Sequence, residues 1–242
     1  MIERLAAQRD RAGILLDFDG SLAPIVSRPE DAGPAPGARE VLADLVVSYR
    51  LVGVISGRPV ADLERMLGDD GVRYEGLYGL AATTSTIDAI RAAVEGVARA
   101  VQGAWVEPKG VTLAVHYRQA EDPADARAAL EPPLETLAKR SGYDLLEGKM
   151  VFELAPAGES RKGGAVERLV AEHDLRAVLY AGDDLPDLEA FAALDRLSDD
   201  GLVVVKVAVG GPETPEALSS DADLVVDGPS ALVTLLGRLA VR

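Results

Sequence analysis

A chain of 242 residues has room for one large domain or two small ones, and 48% hydrophobic residues are ample for a core. A net charge of −15 argues against a nucleic-acid or anionic-membrane partner, and the lack of cysteine excludes disulfides, thiolate chemistry and zinc–thiolate centres. Two histidines are too few for a His-rich metal centre; with no signal-peptide pattern and no apolar run of membrane-spanning length, a soluble cytoplasmic protein is expected.

Residues 2–12 are mixed and polar, a short helix or arm. Gly13 to Leu16 is then an apolar run that ends in Asp17 and Asp19. A run without polar alternation suits a strand buried on both faces of a parallel sheet, and Gly20 and Pro24 turn it into a loop. Asp17 and Asp19 therefore belong at the carboxyl end of a central strand, where open α/β sheets bind ligands. Two acids one residue apart repel, and Mg²⁺, which takes oxygen ligands, relieves that repulsion. One carboxylate can attack phosphorus while the other passes a proton to the leaving oxygen. A solvated acidic turn is the plain alternative.

A Pro- and Gly-rich loop over 28–37 leads to a helix from Pro36 to about Tyr49. Leu51 to Ser56 reads as a second buried strand, ending in Ser56-Gly57-Arg58-Pro59 before a helix with Leu63, Met66 and Leu67. Tyr74 to Leu80 closes this section as a short strand and turn. The strand–helix alternation signals a parallel sheet flanked by helices.

The texture then changes. Ala81 to Thr86 is a hinge, Ile87 to Val101 a helix, and the stretch from Trp105 to Gly110 leads into a strand from Val111 to Arg118. Pro123 to Ser141 is a helix, followed by a hairpin of Tyr143–Leu146 and Met150–Leu154 joined through Glu147, Gly148 and Lys149. Val111, Leu113, Val115 and Tyr117 alternate with Thr112, Ala114, His116 and Arg118, as in an antiparallel sheet with one wet face. Residues 85–157 are thus expected to form an inserted α+β domain, with 1–84 and 158–242 forming the core.

After a linker, Ala155 to Ser160, the α/β rhythm resumes. A helix from Lys162 to His173 leads to the strand Ala177–Gly182, which ends in Asp183-Asp184, and a helix covers Leu185 to about Leu194. Val203–Val209 and Leu224–Val226 are two more strands, 211–215 is a loop, and Ser230–Leu239 is the closing helix.

Ser56 can donate to a phosphate oxygen, helped by N–H groups at the following helix start, or it can simply cap that helix. A lysine at a helix start, Lys162, is costly beside the positive dipole end unless an anion faces it. Asp17 and a phosphoryl group are the obvious anions, whereas Arg161 suits solvent. Asp183 can share a metal with Asp17 if their strands are neighbours. Asp184 and Asp187 can hold a metal-bound water, fix Lys162 or cap the helix.

The opening Asp17-x-Asp19-x-Ser21-Leu22 resembles the first motif of the haloacid dehalogenase superfamily, and its continuation Ala23-Pro24-Ile25 looks like the trehalose-6-phosphate phosphatases. Ser56, Lys162 and Gly182-Asp183-Asp184-x-x-Asp187 follow in that superfamily's order. The resemblance implies a Rossmann-like core with an α+β cap. It implies Asp17 as nucleophile, Asp19 as general acid/base, and Ser56 and Lys162 on the phosphoryl group, with Gly57 and Arg58 beside them. It also implies Mg²⁺ held by Asp17, the main-chain carbonyl of Asp19, and Asp183, with Asp184 and Asp187 in support.

Within the insert, Glu107-x-Lys109, His116-Tyr117-Arg118 and Val151-Phe152-Glu153-Leu154-x-Pro156 resemble that family's cap motifs. Glu107, Lys109, His116, Arg118 and Glu153 are thereby implied to bind the sugar. Ser21, Tyr78, Pro186 and Leu188 depart from the family's usual residues. The activity implied is Mg²⁺-dependent hydrolysis of trehalose 6-phosphate through an aspartyl-phosphate, in a monomer with a functional link to a trehalose-phosphate synthase. Another sugar-phosphate phosphatase with the same cap, or a non-catalytic sugar-phosphate-binding module, is the alternative.

Overall fold

The computed structural model describes residues 1–68, 71–76, 87–109, 112–156, 162–212 and 214–240. The chain divides into two compact units, Met1–Gly79 with Ser160–Arg242, and Leu80–Glu159. The composition change had suggested boundaries at 85 and 157.

The first unit is built on a six-stranded sheet. Its strands are β1 (Ala12–Leu16), β2 (Leu51–Ile55), β3 (Arg73–Glu75), β8 (Ala177–Gly182), β9 (Val203–Gly210) and β10 (Leu224–Asp227), in the order β10-β9-β8-β1-β2-β3. All pairings are parallel. Every residue of β1, β2 and β8 is buried, as apolar runs without alternation require when both faces are covered. One face packs Ile14, Leu16, Val54 and Leu179 against α2 (Ala38–Ser48) and α9 (Gly228–Ala240). The other packs Leu15, Ile55 and Val178 against α6 (Lys162–Glu172) and α7 (Leu185–Asp199). Register puts Leu16 opposite both Val54 and Ala181. The residues that follow these three strands therefore emerge at one sheet edge.

Several sequence expectations shift. Helix α2 starts at Ala38 rather than Pro36, with Gly37 as its N-cap. Helix α3 (Val60–Leu67) takes Pro59 as its N-cap, so Ser56 does not cap it. Helix α7 runs five residues past Leu194, and a short α8 (Glu216–Asp221) precedes β10 where periodicity was too brief to register. Leu77–Leu80 with Tyr78, the Ala81–Thr86 hinge, Gly110, Val111, the linker from Ala157 to Ser160, and Arg161 lie outside the described residues.

The second unit is a four-stranded antiparallel sheet, β4 (Trp105–Pro108), β5 (Leu113–His116), β6 (Tyr143–Gly148) and β7 (Val151–Pro156), ordered β4-β5-β7-β6. Leu113, Val115, Phe152 and Leu154 pack on α4 (Ile87–Arg99) and α5 (Pro123–Ser141). The expected wet face is wet only in part, because Thr112 and Ala114 are fully buried. Ala114 lies in register between Glu107 and Glu153, and so short a side chain is covered by its long neighbours. The hairpin turns at Lys149 and Met150, the latter at φ 59, rather than through Glu147–Lys149. Alternation marks faces but not where a turn falls. Among the described residues, no helix is long and apolar enough to cross a membrane.

Candidate active site

Asp17 continues β1 by one residue, its N–H donating to the Ala181 carbonyl at 2.8 Å. It is buried, and Lys162, the first residue of α6, donates to its Oδ1 at 2.7 Å. Lys162 also donates to Asp187 Oδ1 at 2.6 Å. The same Asp187 oxygen accepts from the Tyr180 hydroxyl at 2.6 Å, while its Oδ2 accepts from the N–H groups of Asp183 and Asp184 at 2.9 and 3.0 Å. Four donors thus saturate Asp187. Asp184 caps α7, accepting from the Leu185 N–H at 2.8 Å. Asp183 Oδ1 accepts from the Ser21 hydroxyl at 3.2 Å.

Burial pushes the Asp17 carboxyl well above the usual carboxylate range, Lys162 pulls it back, and Asp187 and Asp183 push the same way as burial. Burial also works against the Lys162 charge, but Asp17 and Asp187 outweigh it and raise its pKa above that of an ordinary lysine. Ligand atoms of Asp17, Asp183 and Asp187 all lie within 4.8 Å of one another. Three buried carboxylates face one ammonium, and a divalent cation would offset the excess negative charge. With Asp187 saturated, Asp17 and Asp183 are the side chains left to hold it, and a purely oxygen donor set suits Mg²⁺.

Asp19 is gripped by Arg58, whose Nε and Nη2 both donate at 2.7 Å to its two carboxylate oxygens. Arg58 Nη1 donates to the Pro29 carbonyl at 2.9 Å. The guanidinium expected beside the substrate is therefore aimed at the proposed acid/base, a bidentate pairing that fixes carboxylate orientation. Ser56 follows β2 and is buried; its Oγ accepts from the Arg58 N–H at 3.2 Å, which leaves the hydroxyl hydrogen for an acceptor. Gly57 lies between them.

Two glycines, which the sequence marked only as a loop position and a motif position, make these approaches possible. Gly20, at φ +86, lies so close to the Asp183 carboxylate that any Cβ would collide with it. Gly182 stands in the same relation to Asp187. Sequence reasoning missed Tyr180. The available signal was a lone phenol in the buried run Ala177–Gly182, since a buried tyrosine hydroxyl needs a partner.

In the second unit, Glu107, His116 and Glu153 share the face away from α4 and α5, with Thr112 and Lys109 paired to them. His116 Nε2 lies 2.8 Å from Glu107 Oε2, and Thr112 donates to Glu153 Oε1 at 2.6 Å. Lys109 Nζ lies 3.9 Å from Glu107 and 4.0 Å from Glu153. Arg118 reaches the Lys149 carbonyl at 2.9 Å.

A model of the trehalose-phosphatase family matches residues 15–224. The chain belongs to the trehalose-phosphatase family. An uncharacterized glycosyl hydrolase of Mycobacterium tuberculosis is 37% identical over 225 residues, covering 84% of this chain and 17% of that protein. The trehalose-phosphate phosphatase of Mycobacterium leprae is 30% identical over 254 residues, covering 94% of this chain and 57% of that one. The chain thus spans less than two thirds of either relative. The C-terminal domain of Candida albicans trehalose-6-phosphate phosphatase superposes with a TM-score of 0.83 at 24% identity, covering 99% of this chain and 95% of that one. The trehalose-phosphatase fold seen here is that of haloacid dehalogenase-like hydrolases, a parallel α/β core with a separate antiparallel cap sheet.

Proposed function

We propose that this chain hydrolyses trehalose 6-phosphate to trehalose and phosphate through an aspartyl-phosphate on Asp17, with Mg²⁺ as cofactor. One observation carries the reading: Asp17, held by Lys162 at 2.7 Å and with Asp183 beside it, closes the central strand of a trehalose-phosphatase family member. An Asp17 oxygen attacks phosphorus as the bond to the sugar oxygen breaks, and Asp19 gives that oxygen its proton. Asp19 then takes a proton from water, which attacks the phosphoenzyme, frees phosphate and restores Asp17. Lys162 and the Ser56 hydroxyl meet the phosphoryl oxygens, so catalysis is chiefly positioning and charge neutralisation. Arg58 holds Asp19 in orientation. Asp17, Asp183 and the Asp19 main-chain carbonyl would hold Mg²⁺, which supplies further neutralisation of phosphoryl charge.

The second unit serves in this reading as the specificity cap. Glu107, Lys109, His116 and Glu153 form a polar patch suited to hydroxyl-rich sugars, and unpaired buried groups would penalise poorer fits. Such a substrate also implies a functional link to a trehalose-phosphate synthase.

The test is phosphate release from a panel of sugar phosphates with Mg²⁺ and with chelator. Trehalose 6-phosphate should be turned over with the highest kcat/KM, and only with metal. Equal rates across the panel would leave a general sugar phosphatase, and no release at all would leave a binding module.

A further inference from the structure

The polar face of the second unit contains a tryptophan that the reading above does not use, paired with His116. Trp105, the sole tryptophan of the chain, lies on edge strand β4 in register with His116 of β5. Their ring centroids are 4.2 Å apart and their planes differ by 16°. His116 Nε2 is meanwhile 2.8 Å from Glu107, two residues further along β4.

These two contacts constrain different freedoms of one ring. Stacking fixes the plane of the imidazole, and the carboxylate fixes its rotation within that plane. A carboxylate accepts only, so Nε2 carries a proton, and in the neutral form of the ring Nδ1 bears the lone pair. Among the described residues, Nδ1 makes no hydrogen bond. Both rings are only partly buried, and Lys109 lies 3.9 Å from the same Glu107 carboxylate. The pair therefore stands at one end of a polar row that runs through Lys109 to Glu153.

Resting on the reading of this chain as a sugar phosphatase, we infer that Trp105 is a positioning residue for sugar recognition. It holds the His116 ring in the one orientation in which Nε2–H donates to Glu107, with Nδ1 offered to a ligand hydroxyl. A tryptophan that merely packed the edge of the sheet would leave the His116 tautomer unaffected when replaced. Holding a ring before the ligand arrives lowers the ordering cost of binding, so the effect falls on KM more than on kcat.

The test compares full-length wild type, Trp105→Leu and Trp105→Phe. The chain has two histidines, so ring-nitrogen NMR with His173→Gln for assignment reads His116 directly, without substrate. Wild type should show the Nε2–H form; Trp105→Leu should shift towards a mixture of tautomers, and Trp105→Phe, which keeps a ring to stack on, should not. The kcat/KM ratio of trehalose 6-phosphate to p-nitrophenyl phosphate should fall about tenfold in Trp105→Leu, mainly through KM, and stay within about twofold in Trp105→Phe. Unchanged nitrogen shifts in Trp105→Leu, or equal losses on both substrates, would overturn the inference. Wild type that leaves trehalose 6-phosphate intact while the tautomer shift still appears would sink the functional reading and preserve the Trp105–His116 pairing.

Discussion

At Asp17, burial and two neighbouring carboxylates oppose the charge a nucleophile needs, and Lys162 at 2.7 Å offsets part of that opposition. Asp17→Asn keeps the shape and an oxygen for Lys162 to donate to, so the fold should survive. Phosphate release should drop by at least about 10³-fold, because an amide does not attack phosphorus. A rate near wild type would move the nucleophile elsewhere. Tyr180 is shifted in the same direction. Burial first, then Asp187, raises its pKa well above 10.0. The folded state keeps this proton where the unfolded chain, titrating near 10, has lost it. The stability it contributes is therefore full below about pH 10 and lost as pH rises towards the folded value. Tyr180→Phe should leave the native absorbance titration near pH 10 unchanged while removing one tyrosine from the titration in denaturant. A loss of native amplitude would contradict the buried contact with Asp187.

At the scale of elements, β1, β2 and β8 owe their character to apolar runs long enough to be buried on both faces. Helix α5 is less comfortable. Asp122 caps its start, accepting from the N–H groups of Ala124 and Asp125, yet Pro132 and Pro133 stand inside it. Each removes an N–H from the helical ladder and crowds the preceding turn, at about 3 kcal/mol relative to alanine. Leu130 and Leu134, both fully buried, hold the helix on the sheet nonetheless. Pro133→Ala should stabilise the second unit by about 1–2 kcal/mol, after offsetting the greater freedom of the unfolded chain. Denaturant unfolding checks this, and a destabilised variant would mean that the prolines are themselves needed for packing.

For the whole molecule, a net charge of −15 and a buried acidic cluster that could hold a metal ion make the response to added cation a direct test. A ligand that binds only the folded state stabilises it by about 2.7 kcal/mol at a hundredfold excess over Kd. Saturating Mg²⁺ should therefore raise the Tm of the core by roughly 5–10 °C. EDTA should abolish the shift and Asp183→Asn should weaken it severely. An Asp183→Asn protein that responds to Mg²⁺ like wild type would remove Asp183 from the metal site.

The sequence by itself determined which segments are buried strands and that the candidate site residues sit at their ends, since apolar runs at 14–16, 51–55 and 177–181 are local signals stopped by polar residues. It also carried the family motifs. Only the tertiary structure decided who touches whom. The packing around β8-β1-β2 brings Lys162 onto Asp17 across 145 residues of chain and turns Arg58 onto Asp19. Register between β4 and β5 likewise stacks Trp105 on His116. The physical reason is that strand order and register follow from burial summed over a whole sheet and its helices. No local run of residues holds that sum, so the partners of a side chain appear only once the sheet has formed.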